Sequence, residues 1–169
     1  IPIIGTVGFL LYLIITTTTA LNNVQLLEDV DNVQYPALET TSSALNYMEK
    51  VRDTLSMAVT TGDEEALDNA KAFAEETRDL LKKIKSIDPS LSSEANIILQ
   101  SFDDYVDLAY DVSQSMVNNT ADFSKLGQLS TKMNKSYEDA TGELGKFKNA
   151  RLKAFKTAIA DSNSAANTM

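Results

Sequence analysis

The sequence predicts an all-α protein: an antiparallel up-down-up-down four-helix bundle with long first and last helices, preceded by a transmembrane helix. Three observations carry that expectation. Apolar residues recur at steps of three and four along most of the chain, which is the spacing of a helix face and not of a strand. Turn punctuation is sparse, with three Pro and six Gly in 169 residues, and this favours a few long helices over many short strands. The chain also opens with Ile1–Leu27, where no Asp, Glu, Lys or Arg occurs before Glu28.

Within that leader, Ile3–Ile15 reads IIGTVGFLLYLII and is followed by Thr16–Thr19 and Ala20. About 20 apolar residues cross a bilayer as a helix. Ile1–Ala20 meets that length if the threonines lie near the interface, each hydroxyl bonding a carbonyl one turn back. Gly5 and Gly8 weaken a helix in water but are common in membrane spans. Two other readings compete: a secretory signal peptide ending near Thr-Thr-Ala, and a buried core helix. A span or a signal peptide places the rest of the chain outside the cytoplasm. The expected division is a transmembrane helix at 1–20 and an extracytoplasmic bundle at 21–169.

The formal net charge is −9 and the pI is about 4.5. Such a surface repels nucleic acid phosphates, so no nucleic acid partner is expected. Without Cys there are no disulfides or thiolate sites, and without His the commonest transition-metal ligand and general base are missing. No Gly-rich phosphate loop, nucleophile–base pair or metal spacing occurs. No cofactor and no catalytic activity are expected.

The first helical stretch runs from Asn22 to about Thr60. Leu38, Thr41, Leu45, Met48, Arg52, Leu55 and Val59 form its stripe, with Val24, Leu27, Val30 and Val33 on a looser extension toward the leader. Tyr35-Pro36 predicts a kink or short break, because proline lacks an N–H and clashes with the preceding turn. At Thr60-Thr61-Gly62-Asp63, Gly62 suits the left-handed position that ends a helix and Asp63 caps the next. Glu64 and Glu65 then suit the positive end of the helix dipole.

The second helix runs to about Ser86, with Leu67, Ala70, Ala74, Thr77, Leu81 and Ile84 inward. Ile87-Asp88-Pro89-Ser90 connects it to the third, for which Ser92 or Ser93 is the expected cap. The third stripe is the cleanest: Leu91, Ala95, Ile98, Phe102, Tyr105, Ala109, Val112 and Met116. Its outer face carries Asp103, Asp104, Asp107 and Asp111, a row that is either solvated or able to hold a divalent cation. Asn118–Asp122 opens the fourth helix, whose stripe includes Leu126, Leu129, Met133, Tyr137, Ala140, Leu144 and Phe147. Gly142 and Gly145 each cost that helix ~1 kcal/mol relative to Ala.

Short connections make neighbouring helices antiparallel. Helices two and three have about 25 residues each, ~38 Å at 1.5 Å per residue, while one and four are about 40 and 45 residues long. Counting levels, only the first and last helices extend past Pro36 toward the leader. Two helices cannot bury their apolar faces alone, so a symmetric homodimer along helix one is expected. The C-terminus returns to the level of Asn22, and a second span after Met169 is expected.

Polar residues on apolar stripes mark candidate binding positions. A buried, unpaired guanidinium is costly, so Arg52 needs a carboxylate or an anionic ligand. Level counting places it near Lys71, Phe73 and Tyr105, with Asn134 and Tyr137 close by. Arg52, Tyr105, Asn134 and Tyr137 thus form a candidate pocket for a small anionic ligand such as an amino acid or organic acid. The alternative is that Val51 takes the core position and Arg52 swings to the rim to pair with an acidic neighbour. Arg78 is expected to pair with Glu75 or Glu94.

Five features taken in order span nearly the whole chain. They are IPIIGTVGFLLYLII, Tyr35-Pro36-Ala37-Leu38, Ala58-Val59-Thr60-Thr61-Gly62-Asp63, Asn119-Thr120-Ala121-Asp122-Phe123 and Ala165-Ala166-Asn167. In order and spacing they resemble the periplasmic four-helix-bundle sensor domain of bacterial transmembrane receptors, especially methyl-accepting chemotaxis proteins. The resemblance implies a bacterial inner-membrane protein with its bundle in the periplasm. It also implies ligand binding outside, a small shift of the last helix through the membrane and altered activity inside, with a second span, a linker module and a signalling region beyond Met169. Similar sensor regions precede histidine kinases and diguanylate cyclases. A structural or partner-protein-binding helical module of such a protein, with no small ligand, is the alternative.

Overall fold

The computed structural model describes Thr17, Leu21 and residues 24–167, with side-chain surroundings given as far as Ser164. The expected membrane span at 1–20 lies outside these residues apart from Thr17. So do the side chains of Ala165-Ala166-Asn167. Among the described residues the chain is all helical, without strands. The long helices are α1 (Tyr35–Thr61), α2 (Glu64–Ile87), α3 (Ser92–Val117) and α4 (Phe123–Asn167). No described helix is long and apolar enough to cross a membrane. The chain divides into two compact units, Ala37–Asn149 and Ile1–Pro36 with Ala150–Met169.

The unit Ala37–Asn149 is built as a helical bundle around one apolar core fed by all four long helices. Met48, Val51, Leu81, Ile84, Phe102, Tyr105 and Leu144 are its bulky buried members. Alanines at 37, 44, 58, 66, 70, 74, 95, 109 and 140 fill the space between them. Small side chains at these positions let helix backbones approach, and each aromatic then fills the gap that the alanines leave. On α1 the buried line is Ala37, Ala44, Met48, Val51, Leu55 and Ala58, while Leu38, Leu45 and Val59 are only half-buried. Thr41, Met48 and Leu55 of the expected stripe are buried, with Thr40 beside them, whereas Ala37, Ala44, Val51 and Ala58 take the inward places expected of Leu38, Leu45, Arg52 and Val59. On α4 the deep burial falls at Ala140, Leu144 and Phe147, and Leu126, Leu129, Met133 and Tyr137 remain partly exposed.

The helix ends follow local chemistry. Gly62 has φ +70, its N–H and that of Asp63 both bond the Ala58 carbonyl (2.8 and 3.1 Å), and Asp63 accepts from the Glu65 N–H at 2.9 Å. The stop and start expected at Gly62-Asp63 are both present. At the end of α3, Asn119 takes the left-handed conformation (φ 56). Its N–H bonds the Met116 carbonyl at 3.1 Å and the Thr120 N–H bonds that of Ser115 at 2.8 Å, the paired bonds of a Schellman stop.

The start of α3 departs from expectation. Neither Ser92 nor Ser93 caps it; Asp88 accepts from the Ser90 N–H at 2.8 Å and starts a 3₁₀ turn, Pro89–Leu91, that feeds directly into the helix. Proline fits the first position of that turn because the N–H it lacks has no partner there anyway. Arg78 joins α2 to α3 through Asp103 (2.7 Å) and also holds Glu75 (2.6 Å); Glu94 is not the partner.

In the other unit, helical residues 24–29 lead into a π-helical segment, Val30–Gln34, where the Tyr35 N–H bonds the Val30 carbonyl. The kink or short break expected at Tyr35-Pro36 takes the form of a widened turn, and the helix is not interrupted. Pro36 has no N–H for the Asn32 carbonyl and its ring presses on that turn, so a five-residue spacing absorbs the misfit without ending the helix. Val30, Gln34, Ala158 and Ser162 are buried here. Leu21, Val24 and Leu27, three residues apart, are 61%, 53% and 47% exposed.

The glycines give a direct test of these assignments. A Cβ added at Gly62, Gly142 or Gly145 meets nothing within 4 Å, so only backbone conformation decides the effect. Gly62→Ala is expected to destabilise by about 1–2 kcal/mol, the cost of a left-handed non-glycine residue. Gly142→Ala and Gly145→Ala, inside α4, are expected to stabilise by about 0.5–1 kcal/mol each. Urea unfolding of the three variants reads both signs.

Candidate functional site

Position on a helix decides what Arg52 can do. Two adjacent residues on a helix point about 100° apart, so Val51 and Arg52 compete for the centre of the inward face of α1. Burying a valine gains about 1.5–3 kcal/mol, whereas an unpaired buried charge costs several kcal/mol. Val51 is accordingly buried and the Arg52 side chain is 48% exposed. Arg52 donates from Nε and Nη2 to Asp53 Oδ1 at 3.1 and 3.0 Å, and Nη2 lies 3.8 Å from Glu49. Nη1 carries no hydrogen bond among the described residues. The Asp53 hydrogen bond raises the Arg52 pKa, so the guanidinium is charged at every accessible pH.

The four sequence-proposed residues come together. The Arg52 guanidinium lies 5.0 Å from the centre of the Tyr137 ring, within cation–π range. Tyr137 in turn meets Tyr105 edge to face, with centroids 5.0 Å apart and the rings at 62°. Arg52, Tyr105 and Asn134, from three different helices, line one cavity of about 360 Å³. Tyr137 meets Arg52 through its ring face and is not among the residues that line the cavity. Leu55, Ala109, Val112 and Met133 supply the apolar part of the lining. An exposed cation, an amide and a mostly apolar interior can hold a small molecule by its anionic end.

Lys71 and Phe73 do not belong to this site, although level counting brought them near. Phe73 packs on Tyr47 (6.0 Å), and Lys71 lies over Tyr110 (4.4 Å) on another face. Sequence reasoning also missed Ser56, Thr60 and Ser113, which line the cavity with Asp53. Asp53 could have been found as the acidic neighbour of Arg52. Ser113 follows Ala109 by one turn on the cleanest stripe in the chain, yet a serine there reads as the edge of the apolar face.

The acidic row on α3 is not gathered on a metal site. Asp103 is bound to Arg78 and Asp104 accepts from Gln100 at 3.0 Å. No group of three or more His, Cys, Asp or Glu among the described residues could hold a metal ion.

Burial pushes the Tyr105 hydroxyl far above the ordinary tyrosine range, with Tyr137 adding to the rise, and burial raises Tyr137 as well. Both groups are held protonated by the fold. Their stabilising contribution is complete below the unfolded value of about 10 and falls as pH rises beyond it, because the unfolded chain then releases protons that the folded chain retains. The urea midpoint is therefore expected to drop between pH 9 and pH 11, and Tyr105→Phe is expected to flatten that drop. An unchanged slope in the variant contradicts the assignment.

Comparison of the chain with protein-family models, curated proteins and solved structures finds no match.

Proposed function

We propose that this chain is the ligand-sensing periplasmic domain of a bacterial transmembrane chemoreceptor of the methyl-accepting type, non-catalytic and anchored in the inner membrane by Ile1–Ala20. A small anionic molecule such as an amino acid or organic acid binds at Arg52, with Tyr105, Asn134 and Tyr137 around it. Binding is passed on as a small displacement of the last helix. The observation that carries this reading is the convergence of Arg52, Tyr105 and Asn134 on one cavity. That cavity falls within the ~300–1,000 Å³ range of small-molecule sites.

An up-down-up-down arrangement of α1 to α4 goes with the proposal. The short connections at Gly62-Asp63 and Asp88–Leu91 support it, since they leave room only for a reversal. Between α2 and α3, Lys71 meets Tyr110 and Arg78 meets Asp103, so partner numbers fall as residue numbers rise. A homodimer along the first helix is supported by the exposed row Leu21, Val24 and Leu27, which a second copy would cover.

One observation favours a second reading. Arg52 already holds Asp53 and approaches Glu49, so its charge is balanced without a ligand. On that reading the bundle is a structural or partner-protein-binding module of a sensor histidine kinase or diguanylate cyclase.

A thermal-shift screen of the detergent-solubilised chain against amino acids and organic acids separates the two. Ligand at 100 times its Kd stabilises by about 2.7 kcal/mol, enough to move the midpoint by several degrees. Arg52→Ala is expected to weaken the identified ligand about 10- to 100-fold, the loss of a charge-assisted hydrogen bond worth about 1.5–3 kcal/mol. No stabilisation across the screen favours the partner-binding module, and a ligand indifferent to Arg52→Ala removes the pocket.

A further inference from the structure

A hydroxyl buried on a helix has a ready partner in the carbonyl one turn back. Thr41 bonds that of Ala37, and Thr77 bonds that of Phe73 at 2.9 Å. Ser113 breaks the pattern. It is 5% exposed, yet its hydroxyl makes no hydrogen bond among the described residues. Buried polar groups are satisfied as a rule, and Ser113 lines the same cavity as Arg52, so its partner comes from whatever fills that cavity. Thr40 is likewise buried and unbonded among the described residues, but it does not line the cavity.

The lining is charged at one end only. Arg52 and its neighbour Asp53 are the charged residues that line it. Arg52 stands at the Tyr105 end, because its guanidinium and the Tyr105 ring both lie 5.0 Å from the Tyr137 ring. Ser113 comes two turns further along α3, ~12 Å away at 1.5 Å per residue. Its neighbours in the lining on that helix, Val112 and Met116, are apolar. Thr60, another hydroxyl of the lining, already donates to the Ser56 carbonyl at 2.8 Å. A second charge on a ligand would lose its water at Ser113 and meet no opposite charge. A neutral hydroxyl or amide needs only the one hydrogen bond.

We propose that Ser113 sets the specificity of this site, selecting aliphatic carboxylates whose far end carries a neutral hydrogen-bonding group. The inference rests on Arg52 as the group that takes the carboxylate. The aliphatic chain then runs over Leu55, Ala109 and Val112, and the far group bonds the Ser113 hydroxyl. A chain of about six carbons, with a hydrogen bond of about 2.8 Å at each end, spans that distance.

The test is calorimetric titration of the full 169-residue chain, in non-ionic detergent, with 6-hydroxyhexanoate, hexanoate and hexanedioate. The hydroxy acid is expected to bind about five- to tenfold more tightly than either of the others. Ser113→Ala is expected to bring the hydroxy acid and hexanoate within twofold of each other, with the thermal midpoint of the ligand-free chain unchanged. Arg52→Ala is expected to weaken both alike. Hexanoate binding as tightly as the hydroxy acid, but lost in Arg52→Ala, overturns the role of Ser113 and keeps the pocket. Binding of both acids that Arg52→Ala leaves intact removes the pocket itself. Tighter binding of hexanedioate, a lowered midpoint in Ser113→Ala, or no binding of the hydroxy acid each overturns the proposal.

Discussion

The choice between Val51 and Arg52 governs the rest of the bundle. Val51 and Arg52 compete for the centre of the inward face of α1, and the cost of an unpaired buried charge outweighs what a valine gains by burial. Once Val51 is inside, Ala37, Ala44, Met48, Leu55 and Ala58 share its face, and the same phase carries Arg52 to the rim beside Asp53. The core line and the candidate site are therefore two consequences of one helical rotation. A rim position leaves the guanidinium charged, half-exposed and stacked on Tyr137, where it is available to a ligand without the cost of burying it first.

The packing behind that rim is unequal in size. Alanines bring the helices together, and the bulk needed to fill the interior comes from a few residues, chiefly Met48, Leu81, Ile84, Phe102, Tyr105 and Leu144. Tyr105 belongs to both the core and the cavity wall: it is 2% exposed, touches Tyr137 and lines the cavity with Arg52.

Much of this was legible in the residues. Period and sparse punctuation fixed the helices, Gly62-Asp63 and Asn118–Asp122 fixed two of the turns, and the grouping of Arg52 with Tyr105, Asn134 and Tyr137 emerged from level counting alone. The misses have physical causes. Thr41, Met48 and Leu55 lie inward as read, but Leu38, Leu45 and Val59 drew the rest of the α1 stripe one residue off because alanines, which carry little hydrophobic signal, hold the inward positions at 37, 44 and 58. Pro36 marks the irregularity but not its form, because a π-helical turn, which spreads the misfit over five residues, leaves no mark in the apolar period. Asp88 was passed over as a cap because the short turn it starts merges into α3.

The rotation of α1 is open to direct measurement because the chain contains no cysteine. Single substitutions Val51→Cys, Arg52→Cys, Leu55→Cys and Ser56→Cys, each in the full chain under native conditions, can be followed by their rate of reaction with a maleimide. Fast reaction at 52 and 56 with protection at 51 and 55 is the expected pattern. A reactive cysteine at 51 together with a protected one at 52 would turn Arg52 into the core and contradict both the core and the site built on it.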